Sequence, residues 1–164
     1  MKHNKKDEQH MRRCIELAEQ SVKNGDAPFG SLIARNRIIL AESGNAIAVG
    51  GDVTNHAEIL AMKAVQKALG TNDLSDCDIY SNCEPCPMCA FMMRELKFRR
   101  VVFAAKSPYM GGYSKWNILQ DKELQMFKPV FGKPPRVIAG LFEKEAQKTF
   151  LRAGWSKRFF SGKT

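Results

Sequence analysis

Cys83-Glu84-Pro85-Cys86-Pro87-Met88-Cys89 is the stretch on which the reading of this chain turns. Three of the five cysteines fall within these seven residues, and an odd total excludes a complete disulfide framework. In a reducing compartment such crowding reads as metal ligation rather than cross-linking. Pro85 and Pro87 are tolerated only before or within the first turn of a helix, which predicts a helix over 87–96. Cys86 and Cys89, three residues apart, then share one side of that turn. The partial positive charge at the helix start favours thiolates there. The remaining cysteines, Cys14 and Cys77, are scattered and read as buried apolar residues.

Upstream, Thr54-Asn55-His56-Ala57-Glu58 opens a second helix, expected over 55–69 with Asn55 as N-cap and Gly70 as its stop. Ile59, Leu60, Met62, Val65 and Leu69 mark its buried face. His56 is the only histidine outside the first ten residues, the others being His3 and His10, so it is the candidate third ligand. Zinc takes nitrogen and sulfur donors in a tetrahedron, and a catalytic zinc keeps one corner for water. Two thiolates cancel the dication's formal charge, so water there needs a neighbouring base. Glu58 is that candidate. Residues two apart do not share a helix face, so His56 and Glu58 serve one site only if the metal lies off the helix end. The chemistry expected of such a site is attack by an activated water, with Glu58 moving the protons. Two alternatives stand beside it. Cys83 could close a four-ligand structural zinc with His56, Cys86 and Cys89, or the Cys-x-x-Cys could be a redox pair.

Outward from these motifs, helix-like and strand-like stretches alternate. Met11, Ile15, Ala18 and Val22 recur at helical spacing, predicting a helix over 8–23. Leu32-Ile33-Ala34 and Ile38-Ile39-Leu40-Ala41, split by Arg35-Asn36-Arg37, predict a hairpin whose turn lacks glycine. Strands are expected over 77–80, 101–105 and 137–142, and a last helix over 143–153. The segment 108–133 is irregular and holds Tyr109, Gly111-Gly112, Tyr113 and Trp116. The order implies an α/β layered domain, one sheet with helices on both faces, whose strand ends are the expected ligand site.

With 164 residues, 44% apolar and 26% charged, the chain has globular composition, which excludes disordered and fibrous classes. No run approaches the length of a membrane span, and Met1 to Glu8 has no apolar core of a secretory signal. A soluble, cytoplasmic protein without membrane contact is expected. The formal net charge of +9 favours anionic partners such as nucleic acid or nucleotides, or serves solubility alone. Basic residues gather at the ends: Lys2, Lys5, Lys6, Arg12 and Arg13, then Lys148, Arg152, Lys157, Arg158 and Lys163.

From Ala27 to Ala153 the sequence resembles the cytidine deaminase-like superfamily, nearest the branch of bacterial guanine deaminases and tRNA adenosine deaminases. The resemblance rests on Pro28-Phe29-Gly30, Gly44-Asn45, His56-Ala57-Glu58, the Cys83–Cys89 stretch and Arg100-Val101-Val102-Phe103. It implies a three-layer α/β/α fold with a five-stranded mixed sheet, a single zinc-dependent deaminase domain over residues 1–164, and a homodimer. It makes His56, Cys86 and Cys89 the zinc ligands and Glu58 the proton carrier. Asn45 would hydrogen-bond the base, Phe29 would line the pocket and the backbone near Ala57 would meet the base edge. By their residues alone, Asn45 could equally be a turn residue and Phe29 plain core. The motifs look most like those of guanine deaminases, so the expected substrate is a small nucleobase or nucleoside of the guanine type. The positive charge resembles a tRNA-acting enzyme, and a nucleic-acid-binding module with structural zinc is a further alternative. Two departures are visible: the loop Met110 to Asn117 holds no acid, and Phe159 and Phe160 stand near the place of a terminal tyrosine. Glu143 is a candidate second carboxylate.

Overall fold

In the computed structural model, residues 3–156 and 158–161 are described; Met1, Lys2, Lys157 and Lys163 lie outside them. Helix α1 (Lys5–Lys23) starts three residues before the expected point because Asn4 and Asp7 form a reciprocal capping box. Its apolar side, Met11, Cys14 and Ala18, is fully buried. The hairpin follows as β1 (Gly30–Arg35) and β2 (Ile38–Gly44). Asn36 and Arg37 both adopt positive φ, 49° and 69°, so the glycine-free turn is of the primed type that matches strand twist.

After a short helix α2 (Ile47–Gly50), α3 runs over Ala57–Leu69 and ends at Gly70, whose φ of 63° makes it the expected left-handed stop. The N-cap is a correction: it is His56, with no side-chain cap bond, and not Asn55. Asn55 instead reaches back to the Ala46 carbonyl, 3.4 Å away. The chain stays extended one residue longer, which frees the His56 ring. Strand β3 (Cys77–Cys83), helix α4 (Pro87–Glu95, Pro87 in its first turn) and strand β4 (Arg100–Ala105) follow. Between 106 and 135 the backbone makes only turns and two short 3-10 segments. Strand β5 (Arg136–Ala139) stops three residues short of the expected 142, because Gly140 and Phe142 take φ of 86° and 60° and turn the chain into α5 (Glu143–Arg152). A last turn, α6, covers Arg158–Ser161.

The sheet order is β2-β1-β3-β4-β5. β1 pairs antiparallel with β2 and β3, while β3, β4 and β5 run parallel. Alternation along the strands divides the interior in two. Ile33, Ile79, Val101 and Phe103 face α3 and α4. Leu32, Tyr80, Val102 and Ile138 face α1 and α5. The fold is the three-layer α/β/α arrangement with a five-stranded mixed sheet that the sequence predicts. Cys14 and Cys77 are wholly buried core residues, as expected.

Candidate metal centre and its cavity

Two helix starts meet beyond the end of β3. His56 caps α3, Cys86 caps α4, and Cys89 lies one turn into α4. His56 Nδ1, Cys86 Sγ and Cys89 Sγ form a triangle with all three edges 3.6 Å. Tetrahedral zinc with ordinary Zn–S and Zn–N bonds requires S···S of about 3.8 Å and S···N of about 3.6 Å. The donor set and its spacing therefore fit zinc. Cys86, Cys89 and His56 are the only such cluster among the described residues. Cys83 ends β3 with a buried thiol that burial pushes well above its ordinary pKa, and it stays outside the triangle. The four-ligand alternative therefore loses its fourth ligand.

The geometric demand on His56 and Glu58 is met because His56 precedes the helix and Glu58 lies inside its first turn. Glu58 is 4% exposed and accepts a hydrogen bond from Ser81 Oγ at 3.1 Å. Burial first, and the Cys86 sulfur second, push its carboxyl above the usual range. A shared hydrogen from Cys89, the His56 ring and the backbone of Cys89 outweigh burial and pull Cys86 down to about 4. The same shared hydrogen and burial hold the Cys89 thiol up. Cys86, at the N-cap of α4, is thus the readier of the two thiols to ionise. The hydrogen bond to Cys86 raises His56 above its ordinary pKa against burial.

The cluster opens into a cavity of about 240 Å³. Phe29, Asn45, Glu58 and Cys83 line it, and Met110, Trp155 and Phe159 complete its walls. Pro28-Phe29-Gly30 is placed by packing and hydrogen bonds together. Asn82 accepts from Gly30 N at 2.9 Å and donates to the Pro28 carbonyl at 3.0 Å. A Cβ on Gly30 would collide with the Cys14 carbonyl and lie 2.6 Å from Ala18 N, so only glycine lets α1 cross β1 here. Phe29 packs against Phe150 and Trp155 as well as lining the cavity, so its core and pocket readings both hold. Asn45 is 5% exposed, and its Nδ2 donates to Asp26 Oδ1 at 2.6 Å. Asp26 is fixed in turn by the backbone N–H groups of Ala27, Ala48 and Val49. With one N–H held by Asp26, the Asn45 side chain keeps its Oδ1 acceptor and a second N–H. Ala57 is fully buried in the first turn of α3 and is not among the lining residues.

Glu84 escaped the sequence reading, where it only spaced Cys83 from the helix. It is 4% exposed and accepts from Ser107 N (2.9 Å), Tyr113 N (3.1 Å), Ser114 N (2.6 Å) and Ser114 Oγ (2.9 Å). A Cβ on Gly111 would overlap the Glu84 carboxylate, and Gly112 N donates to the Pro85 carbonyl at 2.7 Å. The glycine pair was the visible signal: it lets the loop bearing Met110 close onto the turn that carries Cys86. Trp155 and Phe159 were also missed as walls. The ring cluster of Phe150, Trp155, Phe159 and Phe160 holds them. Tyr113 packs on Phe103 in the core, and Trp116 is 58% exposed. Glu143 does not line the cavity; Gln147 donates to its carboxylate at 3.4 Å.

Residues 4–105 match the family model described as the cytidine and deoxycytidylate deaminase zinc-binding region. The guanine deaminase of Bacillus subtilis is 37% identical over 100 residues, which span 60% of this chain and 64% of that enzyme. The chain thus covers just under two thirds of that relative's length. The tRNA-specific adenosine deaminase of the same organism is 33% identical over 141 residues, or 85% of this chain and 83% of the relative. A solved tRNA:A34 deaminase superposes with a TM-score of 0.73 at 28% identity, covering 86% of this chain and 98% of that one.

Proposed function

The chain belongs to the cytidine and deoxycytidylate deaminase zinc-binding family, and from that premise we propose that it hydrolyses the exocyclic amine of a free purine base or nucleoside of the guanine type, releasing ammonia. The observation that carries this reading is the roofed cavity. Trp155 and Phe159, from the chain's own C-terminal segment, close a volume of about 240 Å³ over His56 and Glu58. That space suits a single flat heterocycle against an aromatic wall. A base embedded in RNA must be splayed into its enzyme and leave room for its neighbours.

In this reading His56, Cys86 and Cys89 hold zinc, which when bound supplies the Lewis acidity that lowers the pKa of water. Glu58 does the proton work. Its buried carboxylate takes one proton of the water and delivers it to the ring nitrogen beside the attacked carbon, then takes the second proton from the same oxygen and gives it to the departing amine, leaving a carbonyl and ammonia. Ser81 fixes the carboxylate by bonding one oxygen, leaving the other for this transfer. Asn45, clamped by Asp26, offers a carbonyl acceptor to a ring N–H, which a guanine-type base carries. Phe29 and Trp155, which meet edge to face at 5.3 Å, give the ring an aromatic wall.

The second reading, deamination of an adenosine in a tRNA loop, draws on the 33% identical relative and the net charge of +9. Part of the basic ends is already engaged. Arg13 bonds Glu42 at 2.6 Å, Arg152 meets Glu19 at 3.5 Å, and Arg12 lies over the Phe142 ring. An ammonia-release assay over guanine, guanosine, adenine, adenosine, cytosine, cytidine and a tRNA anticodon stem-loop separates the readings. Turnover of guanine or guanosine with none of the stem-loop is expected; the reverse pattern overturns the free-base reading. Homodimerisation belongs to the same proposal. Met88 and Phe91, three apart on α4 and 39% and 44% exposed, give it an apolar face, and light scattering on the purified protein tests it. A cytoplasmic setting, with all five cysteines unpaired, completes it. Among the described residues no helix is long and apolar enough to cross a membrane.

A further inference from the structure

One side of the cavity over the metal centre is built by Ala27, Phe29, Asn45 and Ile47, which come from two segments of the chain. Asp26 is not in that wall, but its carboxylate ties the two segments together. Oδ1 accepts from Ala27 N at 2.8 Å and from Asn45 Nδ2 at 2.6 Å. Oδ2 accepts from Ala48 N at 2.8 Å and from Val49 N at 3.0 Å. Those two N–H groups belong to α2, whose own N-cap, Ala46, makes no side-chain bond. Asp26 therefore caps α2 from another segment and sets Ile47, its first residue, in the wall.

The same carboxylate controls polarity as well as position. Burial raises the Asp26 carboxyl, but the N–H groups of Val49, Asn45, Ala27 and Ala48 bring it below its ordinary 3.8, so it is ionised at neutral pH. An ionised carboxylate accepts and never donates. Asn45 can face it only with Nδ2, and a planar amide turned that way carries Oδ1 on its other side. The Asn45 main chain is pinned too: its N–H donates to the Phe29 carbonyl at 3.0 Å, and its carbonyl accepts from Ser21 Oγ at 2.7 Å.

We propose that Asp26 is the positioning residue that sets purine preference: by fixing the Asn45 amide it makes the cavity read a ring N–H, which guanine carries beside its carbonyl, and reject a ring whose nitrogen there is bare. This rests on the guanine-type reading and adds the residue that enforces it. Asp26→Asn should reverse the arrangement. The new side chain has a single oxygen, which the two N–H groups of α2 claim against the one of half-buried Ala27. Its nitrogen then turns to Asn45, whose Oδ1 must swing round to accept, and the cavity meets N–H instead of oxygen. Adding Asn45→Asp restores an acceptor, because a carboxylate there has no hydrogen to show.

The test is ammonia release by the zinc-loaded protein from guanine and from 2-aminopurine, which keeps the exocyclic amine but lacks the ring N–H and the carbonyl. The rate constants kcat and KM are measured for the parent, Asp26→Asn and Asp26→Asn/Asn45→Asp, with melting temperature and zinc content as controls. The parent is expected to favour guanine by about tenfold or more in kcat/KM, Asp26→Asn to lose or invert that ratio, mainly in KM, and the double variant to regain it. A residue that only held the fold together would lower both substrates alike and gain nothing from the second change. A folded, zinc-replete Asp26→Asn protein with the parent's ratio overturns the proposal, as does an equal loss on both substrates. Should Asp26→Asn not fold, the double variant decides: the parent's preference supports the proposal and its absence overturns it. Parent turnover of neither compound sinks the guanine-type reading and this proposal with it, whereas guanine turnover without preference over 2-aminopurine sinks this proposal alone.

Discussion

Ser81 Oγ donates to Glu58 Oε1 across 3.1 Å, so the third strand holds the carboxylate that the third helix carries. A fixed carboxylate moves a proton efficiently because its donor and acceptor geometry is set before substrate arrives. Removing the charge and removing its support should have different signatures. Glu58→Gln is expected to retain zinc and to lose about 10²–10⁴-fold in kcat. Ser81→Ala should lower kcat by a smaller factor with KM nearly unchanged. Wild-type turnover in a zinc-replete Glu58→Gln protein would falsify the assigned role.

Zinc should hold the two helix starts together as well as serve chemistry. A ligand that binds only the folded chain stabilises it by mass action, about 4 kcal/mol at a thousand times its dissociation constant. Chelation is therefore expected to lower the melting temperature and abolish ammonia release, with both restored by added zinc. Cys86→Ala should copy the chelated state and resist rescue, read by metal analysis alongside calorimetry.

The loop clasp can be broken from either side. Gly111→Ala places a methyl group on the Glu84 carboxylate. Glu84→Gln keeps the size but replaces one acceptor oxygen by a donor facing the N–H groups of Tyr113 and Ser114, or of Ser107. Each is expected to cost about 2–4 kcal/mol of stability and to raise KM through displacement of Met110. Hydrogen exchange confined to residues 107–114 would show the loosening. An unaltered exchange pattern in Gly111→Ala contradicts the clasp.

Acid should find a weak point far from the metal. Burial alone raises the Asp7 carboxyl, but Arg100, Tyr80 and the backbone of Asn4 together bring it below its ordinary 3.8. A carboxylate depressed in the folded state contributes stability that is full above the unfolded value and is lost as pH falls through the folded one. Asp7→Asn should therefore cost on the order of 2 kcal/mol at neutral pH and flatten the acid limb of the stability curve below pH 4. Denaturant titrations from pH 2.5 to 7 measure it. An acid limb as steep as in the parent protein would assign the transition to another group.

The layer order, the five-stranded sheet and the metal triangle were legible because each has a local signature. Pro87 can occupy only a first helical turn, and Cys86 and Cys89 at three-residue spacing then converge. The His56–Glu58 pair was legible as chemistry but its N-cap was not. Asn55 has the better intrinsic capping side chain, but it reaches back to the Ala46 carbonyl instead of the helix start. The end of β5 was overextended because Leu141 and Phe142 are apolar, whereas Gly140 turns the backbone before them. Glu84, Asp26 and Ser81 could not be ranked from sequence, since their partners lie 19 to 30 residues away and meet them only once the sheet forms. Trp155 carries no local signal, and Phe159 stood out only as lying near the place of a terminal tyrosine. Their return over the cavity depends on Phe150, which anchors the ring stack.

One strand has an unusual concentration of duties. Along β3, Asp78 binds Arg99 and Arg100, Ser81 steadies the carboxylate, Asn82 pins the Phe29 turn, Cys83 walls the pocket, and Glu84 follows directly. Because neighbouring side chains point to opposite faces, inserting a single amino acid there would send each of them to the wrong layer at once. Length changes in descendants of this chain should therefore accumulate in the irregular stretch 121–135 and be purged between 77 and 89. A library of one-residue insertions, sorted for zinc-dependent growth or turnover, would draw that boundary directly.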